Sequence, residues 1–486
     1  MKTGLLVILI LHLFSQNNYG QEFDRCWPLG TTEIFAAHLQ ANLVFVGSSI
    51  RVDSVYRDIQ FGGSCASISD SLGNMKFFSN GCVVGNVLND TMINGDSLNP
   101  GPCVDSYCAN TGNVLIQGNL ILPYPNNSNQ YVFFHETCDY TTNLSPTKLY
   151  TSVIDMTLDS GRGGVISKNV VLYQDTLCDI SLTAVKHANG NDWWILVHEK
   201  YTSNYIRFLL TNSGISGPFF QSIGPVFSVD GYGSSKFSPD GNWYATGSRP
   251  GGIDLYQFDR CSGTLFNRTY LDFPDTIWNF VEFSPNSRFL YAVWLFSIYQ
   301  LDLNSADITN SRQLVGTDDG VLALGQTTRY FYPQLGPDGK IYISCEANVY
   351  LHTIENPDSL GVGCNVIQRS LYIPSSNSML PNFPNYRLGA VDSLYCDTIN
   401  LVRSEHKQPE GISVYPNPAN DFINISPKNE NEKIETFLFY NQYGRLISSQ
   451  IFSSQEVNLQ SLSSGLYLLE VRTNKGNYFR KLVVNR

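Results

Sequence analysis

The sequence predicts an all-β protein in which a β-propeller of six or seven blades, with seven favoured, precedes a small Ig-like β-sandwich. Three observations support this prediction. Charged residues make up 15% of the 486 residues, well below the ~25% of an ordinary soluble domain, while aromatic residues reach 13%. Short β-branched and aromatic runs are closed by Gly, Pro, Asn or Ser along the whole chain, which is typical of strands and turns. A unit of strand, turn and strand also recurs in the middle of the chain.

The first twenty residues have the order of a secretory signal peptide. Lys2 precedes an apolar run over residues 4–14, and a polar stretch over residues 15–20 follows. This order of charged, apolar and polar segments is that of a cleaved signal. The apolar run is shorter than the roughly 20 residues of a transmembrane helix, so we expect cleavage near Gln21 and a mature chain without a transmembrane segment.

Residues 21–400 are predicted to form the propeller, because a unit repeats within them. The unit is clearest over residues 237–245, 283–291 and 335–343, whose starts lie 46 and 52 residues apart. In these copies a Ser-Pro-Asp-Gly turn, or a close variant, joins two strands. Pro presets the backbone of such a turn, and Asp-Gly closes it. The spacing is that of a propeller blade, about 40 to 50 residues.

Weaker copies bring the number of blades to six. They lie over residues 66–78, 113–136 and 182–199. A seventh blade is predicted to form from the two ends of the propeller, with residues near 34–46 pairing with residues near 365–395, because a propeller must close its ring to protect its edge strands. Residues 401–411 are predicted to be a polar linker.

Residues 412–486 are predicted to form the separate β-sandwich. Pro416, Asn417 and Pro418 lie in an entry turn, and residues 437–439 supply apolar core. Gly444 and Gly465 follow at positions where a hairpin can need a positive φ. Several short strands closed in this way are typical of a compact antiparallel sandwich.

This tail resembles the type A C-terminal sorting domain of type IX secretion cargo in the Bacteroidetes. The resemblance spans the whole segment and rests on residues 414–420, 438–446, 462–467 and 480–484. It implies export through the periplasm to the cell surface or medium by the type IX secretion machinery, and removal of the tail by a sortase that can attach the cargo to surface lipopolysaccharide. Lys481 is either a docking charge or a solvated strand residue. The residues implicated in sorting are Pro416, Asn417, Pro418, Gly444, Gly465, Tyr467 and Lys481.

The body has a resemblance of its own. Its Ser-Pro-Asp-Gly turns and residues 380–389 are similar to those of the WD40-like, PD40-type propellers of Bacteroidetes surface proteins. The motif indicates a fold and not an activity.

The candidate ligand-binding residues lie where the second strand of each predicted blade ends. Residues from different blades can converge there, at a mouth of the central channel. Two successive blades end this strand with a His-Glu pair, which could ligate a metal or transfer protons. Adjacent strand residues point to opposite faces, however, so we favour ordinary ligand contacts; no catalytic residue, metal or cofactor is predicted. The candidates are Asn80, His135, Glu136, His198, Glu199, Arg249, Trp294 and Glu346.

Eleven cysteines follow the signal segment, which favours folding in an oxidising compartment. Cys103 and Cys108 lie in a Pro-Gly-rich loop and could close a local disulfide. Two further pairings, Cys345 with Cys364 and Cys26 with Cys396, are weaker hypotheses. Because the number is odd, at least one thiol is left free or pairs with another chain.

Composition and motifs also limit the function. A net charge of −11 without a basic stripe argues against nucleic acid, and no zinc-protease, hydrolase-elbow or phosphate-loop motif is present. We expect an exported binding or scaffolding module with an unknown glycan or protein ligand. The alternative is a propeller hydrolase or lyase acting on extracellular polysaccharide or peptide, and a surface-layer role is a third option.

Overall fold

A computed structural model describes residues 22–30, 40–47, 49–108, 111–139, 145–227, 233–248, 251–273, 279–345, 347–377, 379–391, 412–427, 433–441, 446–452 and 454–485. The predicted signal peptide and linker lie outside these residues. The chain divides into two compact units, residues 1–390 and 391–486.

Within the described residues, the first unit contains seven antiparallel sheets of three or four strands, which we number as blades 1 to 7, and one two-stranded hairpin. Blades 1 and 2 have three strands each, and blades 3 and 4 have four. Their strands are β1 (Cys26–Leu29), β2 (Gln40–Val46) and β3 (Ser49–Val55); β4 (Ala66–Ser69), β5 (Met75–Ser79) and β6 (Val84–Asn86); β7 (Asn119–Pro123), β8 (Gln130–Cys138), β9 (Pro146–Asp155) and β10 (Gly164–Gln174); and β11 (Thr183–Lys186), β12 (Trp193–His198), β13 (Asn204–Thr211) and β14 (Gly214–Ser222).

Blades 5, 6 and 7 have four strands each. A short hairpin, β23 (Leu322–Ala323) and β24 (Gln326–Thr327), lies between blades 6 and 7 in the sequence. The strands of the three blades are β15 (Ser235–Phe237), β16 (Trp243–Ser248), β17 (Gly252–Asp259) and β18 (Thr264–Asp272); β19 (Phe280–Phe283), β20 (Phe289–Trp294), β21 (Ser297–Asp302) and β22 (Gln313–Thr317); and β25 (Tyr330–Leu335), β26 (Ile341–Cys345), β27 (Asn348–Ile354) and β28 (Val366–Asn377).

The blades form a closed ring, which confirms the predicted propeller. The first strand of each blade is its inner strand, and inner strands of successive blades contact one another: β1 with β4, β4 with β7, β11 with β15, β15 with β19, and β19 with β25. Blades 3 and 4 are joined just before their inner strands: the N–H of Gln117, which precedes β7, donates to the carbonyl of Asp179, which precedes β11 (3.3 Å). The ring closes where β2 of blade 1 contacts β28 of blade 7.

The predicted construction of the seventh blade is wrong. Strands β1 to β3 form one sheet and β25 to β28 form another, so the two ends of the propeller do not share a blade. Each of the seven sheets comes from one continuous stretch of chain, because short turns make neighbours in sequence the easiest partners. The last residues of the unit lie inside the ring instead of adding a strand to a blade.

These last residues, 379–390, which we call the axial segment, follow β28 and lie against the inner strands of several blades. Asn382 Nδ2 donates to the carbonyl oxygens of Asn119 (3.2 Å) and Leu182 (3.0 Å). Asn385 Nδ2 donates to the Pro239 carbonyl (2.7 Å). The segment therefore bonds blades 3, 4 and 5 from inside the ring.

The aromatic residues that enrich the sequence pack both within blades and between them. Tyr342 of blade 7 lies 5.6 Å from Trp27 and 5.5 Å from Phe45 of blade 1, measured between ring centroids. Phe77 of blade 2 contacts Tyr131 of blade 3 at 5.3 Å. Edge-to-face packing of this kind adds to the burial of large apolar side chains, and it explains how a chain with few charges builds a stable ring.

The disulfides differ from the predicted ones. Cys103 pairs with Cys138 and Cys82 with Cys108, with Cα atoms 5.6 and 5.7 Å apart. The predicted Cys103–Cys108 bond is wrong because Cys103 lies in the short helix α1 (Pro102–Tyr107) and Cys108 caps it. Side chains five positions apart on a helix point in directions about 140° apart. The sulfur atoms of Cys103 and Cys108 therefore point away from each other.

The other predicted pairings are also wrong. Cys26, Cys345 and Cys364 are free, buried thiols. The sulfur of Cys345 contacts His352 Nε2 (3.1 Å), while that of Cys364 faces Tyr291 of blade 6, so the two do not meet. Cys396 lies outside the described residues, and Cys261 is disulfide-bonded.

The second unit is a two-layered sandwich, as predicted. One sheet has the order β29-β30-β33 and the other β32-β31-β34-β35, around a core that includes Ile423, Phe439 and Leu469. The strands are β29 (Ile412–Tyr415), β30 (Phe422–Pro427), β31 (Ile434–Asn441), β32 (Leu446–Ile451), β33 (Glu456–Asn458), β34 (Gly465–Thr473) and β35 (Gly476–Val484).

The predicted sorting residues lie at different places in this unit. Residues 416–418 form the bend after β29, where Asn417 Oδ1 accepts a hydrogen bond from the Val483 N–H (2.9 Å). Gly465 begins β34 with a positive φ of 159°, the sign that the sequence predicted. Tyr467 donates its hydroxyl to the Ser463 carbonyl (2.9 Å). Lys481 lies in β35, and Gly444 lies outside the described residues.

Candidate functional site

The ring has two ends, and those predicted site residues that the structure describes lie at only one of them. We call the end where inner strands begin the entry end, and the end where they turn into the second strand the turn end. Second strands finish at the entry end, because they run antiparallel to the inner strands. Asn80, His135, Glu136, His198 and Trp294 lie there in blades 2, 3, 4 and 6. Arg249 and Glu346 lie outside the described residues.

His135 is a buried structural residue of blade 3. Its Nδ1 lies 2.6 Å from Asn99 Oδ1, and its Nε2 lies 2.8 Å from Ser152 Oγ. Burial lowers the pKa of His135 to about 3. The His135 imidazole is therefore neutral, and each of its two nitrogen atoms has a hydrogen-bond partner.

Glu136 points to the opposite side of the sheet and is fully buried. Neither carboxylate oxygen has a hydrogen-bond partner among the described residues. Burial, and then the charge of Asp179, raise the pKa of Glu136 well above its ordinary value. The side chain is thus a protonated acid in the interior of the ring.

The second pair, His198 and Glu199, also makes structural contacts with neighbouring residues. His198 packs against Tyr205 and Phe227, with ring centroids 4.4 and 4.5 Å away, and burial lowers its pKa to about 4. Glu199 accepts hydrogen bonds from the Tyr173 hydroxyl (2.9 Å) and Asn204 Nδ2 (2.8 Å). The two pairs therefore form no shared constellation for metal binding or proton transfer.

The remaining entry-end candidates have structural contacts. Asn80 Oδ1 accepts hydrogen bonds from the N–H groups of Cys82 (3.0 Å) and Val83 (3.1 Å), which fixes the turn after β5. Trp294 packs on Phe296, with ring centroids 5.0 Å apart. Across the described part of the chain, no cluster of three or more His, Cys, Asp or Glu residues could hold a metal ion.

A thiol and an imidazole meet in blade 7, but they are not a nucleophilic pair. His352 Nδ1 accepts a hydrogen bond from the Arg369 N–H (3.1 Å), so the proton of the neutral ring sits on Nε2 and points at the Cys345 sulfur. Burial raises the pKa of Cys345 to about 12 and lowers that of His352 to about 4. The imidazole cannot accept the thiol proton, and no thiolate forms.

The turn end of the ring carries two cavities that the sequence did not indicate. The larger one, which we call the cleft, has a volume of about 630 Å³ and lies at the ends of the inner strands of blades 2, 3 and 4. This volume falls within the range of about 300 to 1,000 Å³ that is usual for small-molecule sites. Its walls combine aromatic rings, asparagine amides and three charged groups: Phe23, Tyr124, Tyr131 and Trp193; Asn126, Asn127, Asn129 and Asn191; and Asp70, Lys76 and Lys186.

The charged groups of the cleft are held in place. Lys76 Nζ lies 3.3 Å from Asp70 Oδ2. Lys186 Nζ lies 5.3 Å from the centroid of the Trp193 ring, and burial, with the charge of Arg260, lowers the pKa of Lys186 to about 8. Burial, and then the charge of Asp70, raise the pKa of Tyr131 to about 12, so its hydroxyl stays protonated and can donate.

The smaller cavity, which we call the axial cavity, has a volume of about 220 Å³. It lies between the axial segment and the turn ends of blades 4 to 7. Lys236, Glu282 and Gln334 line it and are almost fully buried. They occupy the same position in three repeats, three residues before the turn proline. The three sequences are Lys-Phe-Ser-Pro, Glu-Phe-Ser-Pro and Gln-Leu-Gly-Pro. That shared position is the one sequence signal that could have located this cavity.

Comparison with known proteins identifies the second unit. Residues 413–485 match the family described as the secretion system C-terminal sorting domain. No curated protein matches the chain. No helix within the described residues is long and apolar enough to cross a membrane.

Solved propeller structures are only distantly similar. A candidate 6-phosphogluconolactonase from Bacteroides fragilis has a TM-score of 0.46 at 11% identity, over 73% of this chain and 97% of its own. A periplasmic gluconolactonase from Pseudomonas aeruginosa has a TM-score of 0.36 at 12% identity, over 95% and 99% of the two chains. At this level of similarity, neither protein assigns an activity to this chain. With its sorting domain and its ring of seven blades, the chain is a propeller cargo of the type IX secretion system, delivered to the cell surface or the extracellular space.

Proposed function

We propose that the exported propeller is a binding module and that the cleft is its ligand site. The observation that carries this proposal is the combination of volume and lining in the cleft. It is the larger of the two turn-end cavities, and apolar rings and polar groups face it from three blades. Sites for small ligands have this composition, with apolar surface for affinity and a few polar groups for orientation.

The lining favours a saccharide as the ligand. Tyr124, the half-buried aromatic residue of the lining, supplies surface for the C–H face of a sugar ring, and the asparagines of the turn over residues 126–129 offer both donors and acceptors to hydroxyl groups. Asn126 and Asn129 are exposed at the rim. A glycan, rather than a protein, is therefore the ligand class that we assign to the cleft.

The alternative function, a hydrolase or lyase acting on polysaccharide or peptide, has less support in the cleft. Glycoside hydrolysis generally needs two carboxyl groups, one of them protonated. Asp70 is the one carboxylate among the lining residues. Its burial would raise its pKa, but hydrogen bonds from Asn74, Leu72 and Lys76 outweigh this and lower the pKa. Asp70 is therefore ionised and cannot serve as the general acid.

The proposal extends to the fate of the sorting domain. Contact with the type IX machinery follows from the family match. We assign recognition to the bend at residues 416–418 together with Gly465, Tyr467 and Lys481, and we propose that a sortase removes the unit and attaches the propeller to lipopolysaccharide. Boundaries at residues 20, 400 and 411 for the signal, propeller and linker remain predictions.

The test is a glycan array followed by titration calorimetry on the full exported chain. Tyr124 lines the cleft and is half-buried, so Tyr124→Ala should weaken binding of the best glycan about tenfold, the loss expected for one aromatic contact. Tyr56 is 70% exposed and does not line the cleft, so Tyr56→Ala is the matched control and should bind normally.

Two results would count against this function. If no glycan binds, or if both tyrosine variants bind equally well, the cleft is not the site. If the best glycan is cleaved during incubation, as shown by new reducing ends or unsaturated products, the enzyme alternative replaces the binding module.

A further inference from the structure

We infer that the axial cavity is a second ligand site, independent of the cleft, which recognises one hydroxyl group of a small neutral polyol or a single terminal sugar. The hydroxyl would lie between Lys236 Nζ and Glu282 Oε2, accepting a hydrogen bond from the ammonium group and donating one to the carboxylate.

The distance between these two groups is the first part of the argument. Lys236 Nζ and Glu282 Oε2 are 3.8 Å apart, and their side chains are 4% and 5% exposed. A nitrogen-to-oxygen hydrogen bond needs about 2.7 to 3.2 Å. The Lys236 ammonium and the Glu282 carboxylate therefore attract each other but do not form a hydrogen bond. Two opposite charges that are buried together would normally close to direct contact, because each has lost its water.

Both groups also have hydrogen-bonding capacity to spare. Among the described residues, the Lys236 ammonium donates one hydrogen bond, to Gln334 Oε1 (2.6 Å), and it has three donors. The two Glu282 oxygens each accept one backbone N–H, from Phe283 and from Leu335, both at 3.0 Å. Each carboxylate oxygen can accept a second bond, so a donor and an acceptor remain at the wall of one cavity.

The charges determine which ligand fits. An anionic group would meet Glu282 and a cationic group would meet Lys236, both at close range and at low exposure, where repulsion is strong. Asp24 and Arg387 also line the cavity, but they are paired with each other through two hydrogen bonds of 2.6 and 2.7 Å. A neutral hydroxyl satisfies both Lys236 and Glu282 because it donates and accepts at once.

The shape of the cavity narrows the ligand further. Its volume of about 220 Å³ is below the range usual for drug-sized ligands, so it admits one ring and not an oligomer. The turn prolines of three blades, Pro239, Pro285 and Pro337, form part of its wall. Their apolar rings are suited to the C–H face of a polyol.

The experiment uses the full exported chain and saturation-transfer NMR with three sugars of the same ring: glucose, glucuronate and glucosamine. We expect glucose to bind in the millimolar range and the two charged sugars to bind at least tenfold more weakly. Lys236→Met and Glu282→Gln should each weaken glucose binding at least tenfold. Tyr124→Ala in the cleft should leave it unchanged, so failure of this site is distinguishable from failure of the cleft.

A double variant, Lys236→Met with Glu282→Leu, covers the case in which a single variant does not fold, because removing both charges leaves no unpaired ion. It should fold and should not bind glucose. The inference is overturned if glucose does not bind the unaltered chain, if a charged sugar binds more tightly, or if the folded double variant still binds glucose.

Discussion

His135, His198 and His352 show why residue type alone did not reveal the site. All three are buried, with pKa values lowered to about 3, 4 and 4, first of all by burial. The His-Glu recurrence is real in the sequence, yet both histidines are buried by their own blade and by connecting segments: His135 contacts Asn99 and Ser152, and His198 contacts Tyr205 and Phe227. Sequence cannot show these contacts, because most of them join residues that are distant in the chain. Lys236 and Glu282 were missed for the opposite reason: they lie beside a turn motif that reads as structural.

The buried histidines make stability depend on pH. An unfolded histidine takes up a proton near pH 6.5, whereas folded His198 does so only near pH 4. The unfolded state therefore binds more protons between these values, and stability falls as the pH drops below 6.5 and is independent of this residue above it.

Between pH 7.5 and pH 5, the free energy of unfolding should fall by about 2 kcal/mol less in the His198→Phe variant than in the unaltered chain. The reason is that phenylalanine fits between Tyr205 and Phe227 and does not titrate. Urea unfolding of both proteins at the two pH values measures the difference. At pH 7.5 the variant should be nearly as stable as the unaltered chain, since it loses only the contact between His198 Nδ1 and the Cys178 sulfur (3.6 Å), and His198 Nε2 has no hydrogen-bond partner among the described residues. An identical pH dependence in the two proteins would contradict the assignment.

The strand-turn-strand elements were the most predictable part of the fold. Three strong copies and three weak ones correspond to the first two strands of blades 2 to 7, because the turn has a strict local chemistry. In blade 5, Ser238 Oγ accepts a hydrogen bond from the Trp243 N–H (2.9 Å), and in blade 6 Ser284 Oγ accepts one from the Phe289 N–H (2.9 Å). The sequence between β1 and β2 has no Ser-Pro-Asp-Gly motif, and the axial segment has no strand periodicity, so neither blade 1 nor the axial segment was located correctly.

Two equivalent turn glycines separate local strain from packing around the turn. Gly241 and Gly339 have φ values of +74° and +83°. A Cβ on Gly241 would lie 2.7 Å from Arg260 Cδ and 2.9 Å from Leu388 Cδ2, whereas a Cβ on Gly339 would meet nothing closer than Pro285 Cγ at 3.8 Å.

Gly339→Ala should therefore cost about 1 kcal/mol, the penalty of a left-handed backbone for alanine. Gly241→Ala should cost about 1 to 3 kcal/mol more, because Arg260 and Leu388 must move. Thermal unfolding of the two variants measures this difference. Equal losses would mean that these two side chains do not press on the turn.

At the scale of the whole molecule, the predicted order of a propeller and a sorting sandwich is present, and the closing of the ring is the main departure. Arg387 of the axial segment bonds Asp24 through both carboxylate oxygens, at 2.6 and 2.7 Å, and Glu22 at 3.1 Å. These contacts join residues more than 360 positions apart. No local pattern encodes such a contact, so sequence reasoning could state that the ring closes but not how.

Removing residues 412–486 should stop surface delivery without unfolding the propeller, because the two units have separate cores. Cell fractionation should find the truncated chain inside the envelope and the full chain at the surface or in the medium. The matched control is an unrelated carrier fused to residues 401–486, which should be exported. Unchanged surface delivery of the truncated chain would refute the role of the sorting domain.

The axial segment sets an order of events during synthesis. Residues 379–390 leave the ribosome after every blade has been made, yet carbonyl groups of three earlier blades depend on them for hydrogen bonds. The sheets come from successive stretches of chain, but these hydrogen bonds form only when the end of the propeller is present. The residues that complete the propeller are thus nearly its last, and the domain that directs secretion follows them in the sequence.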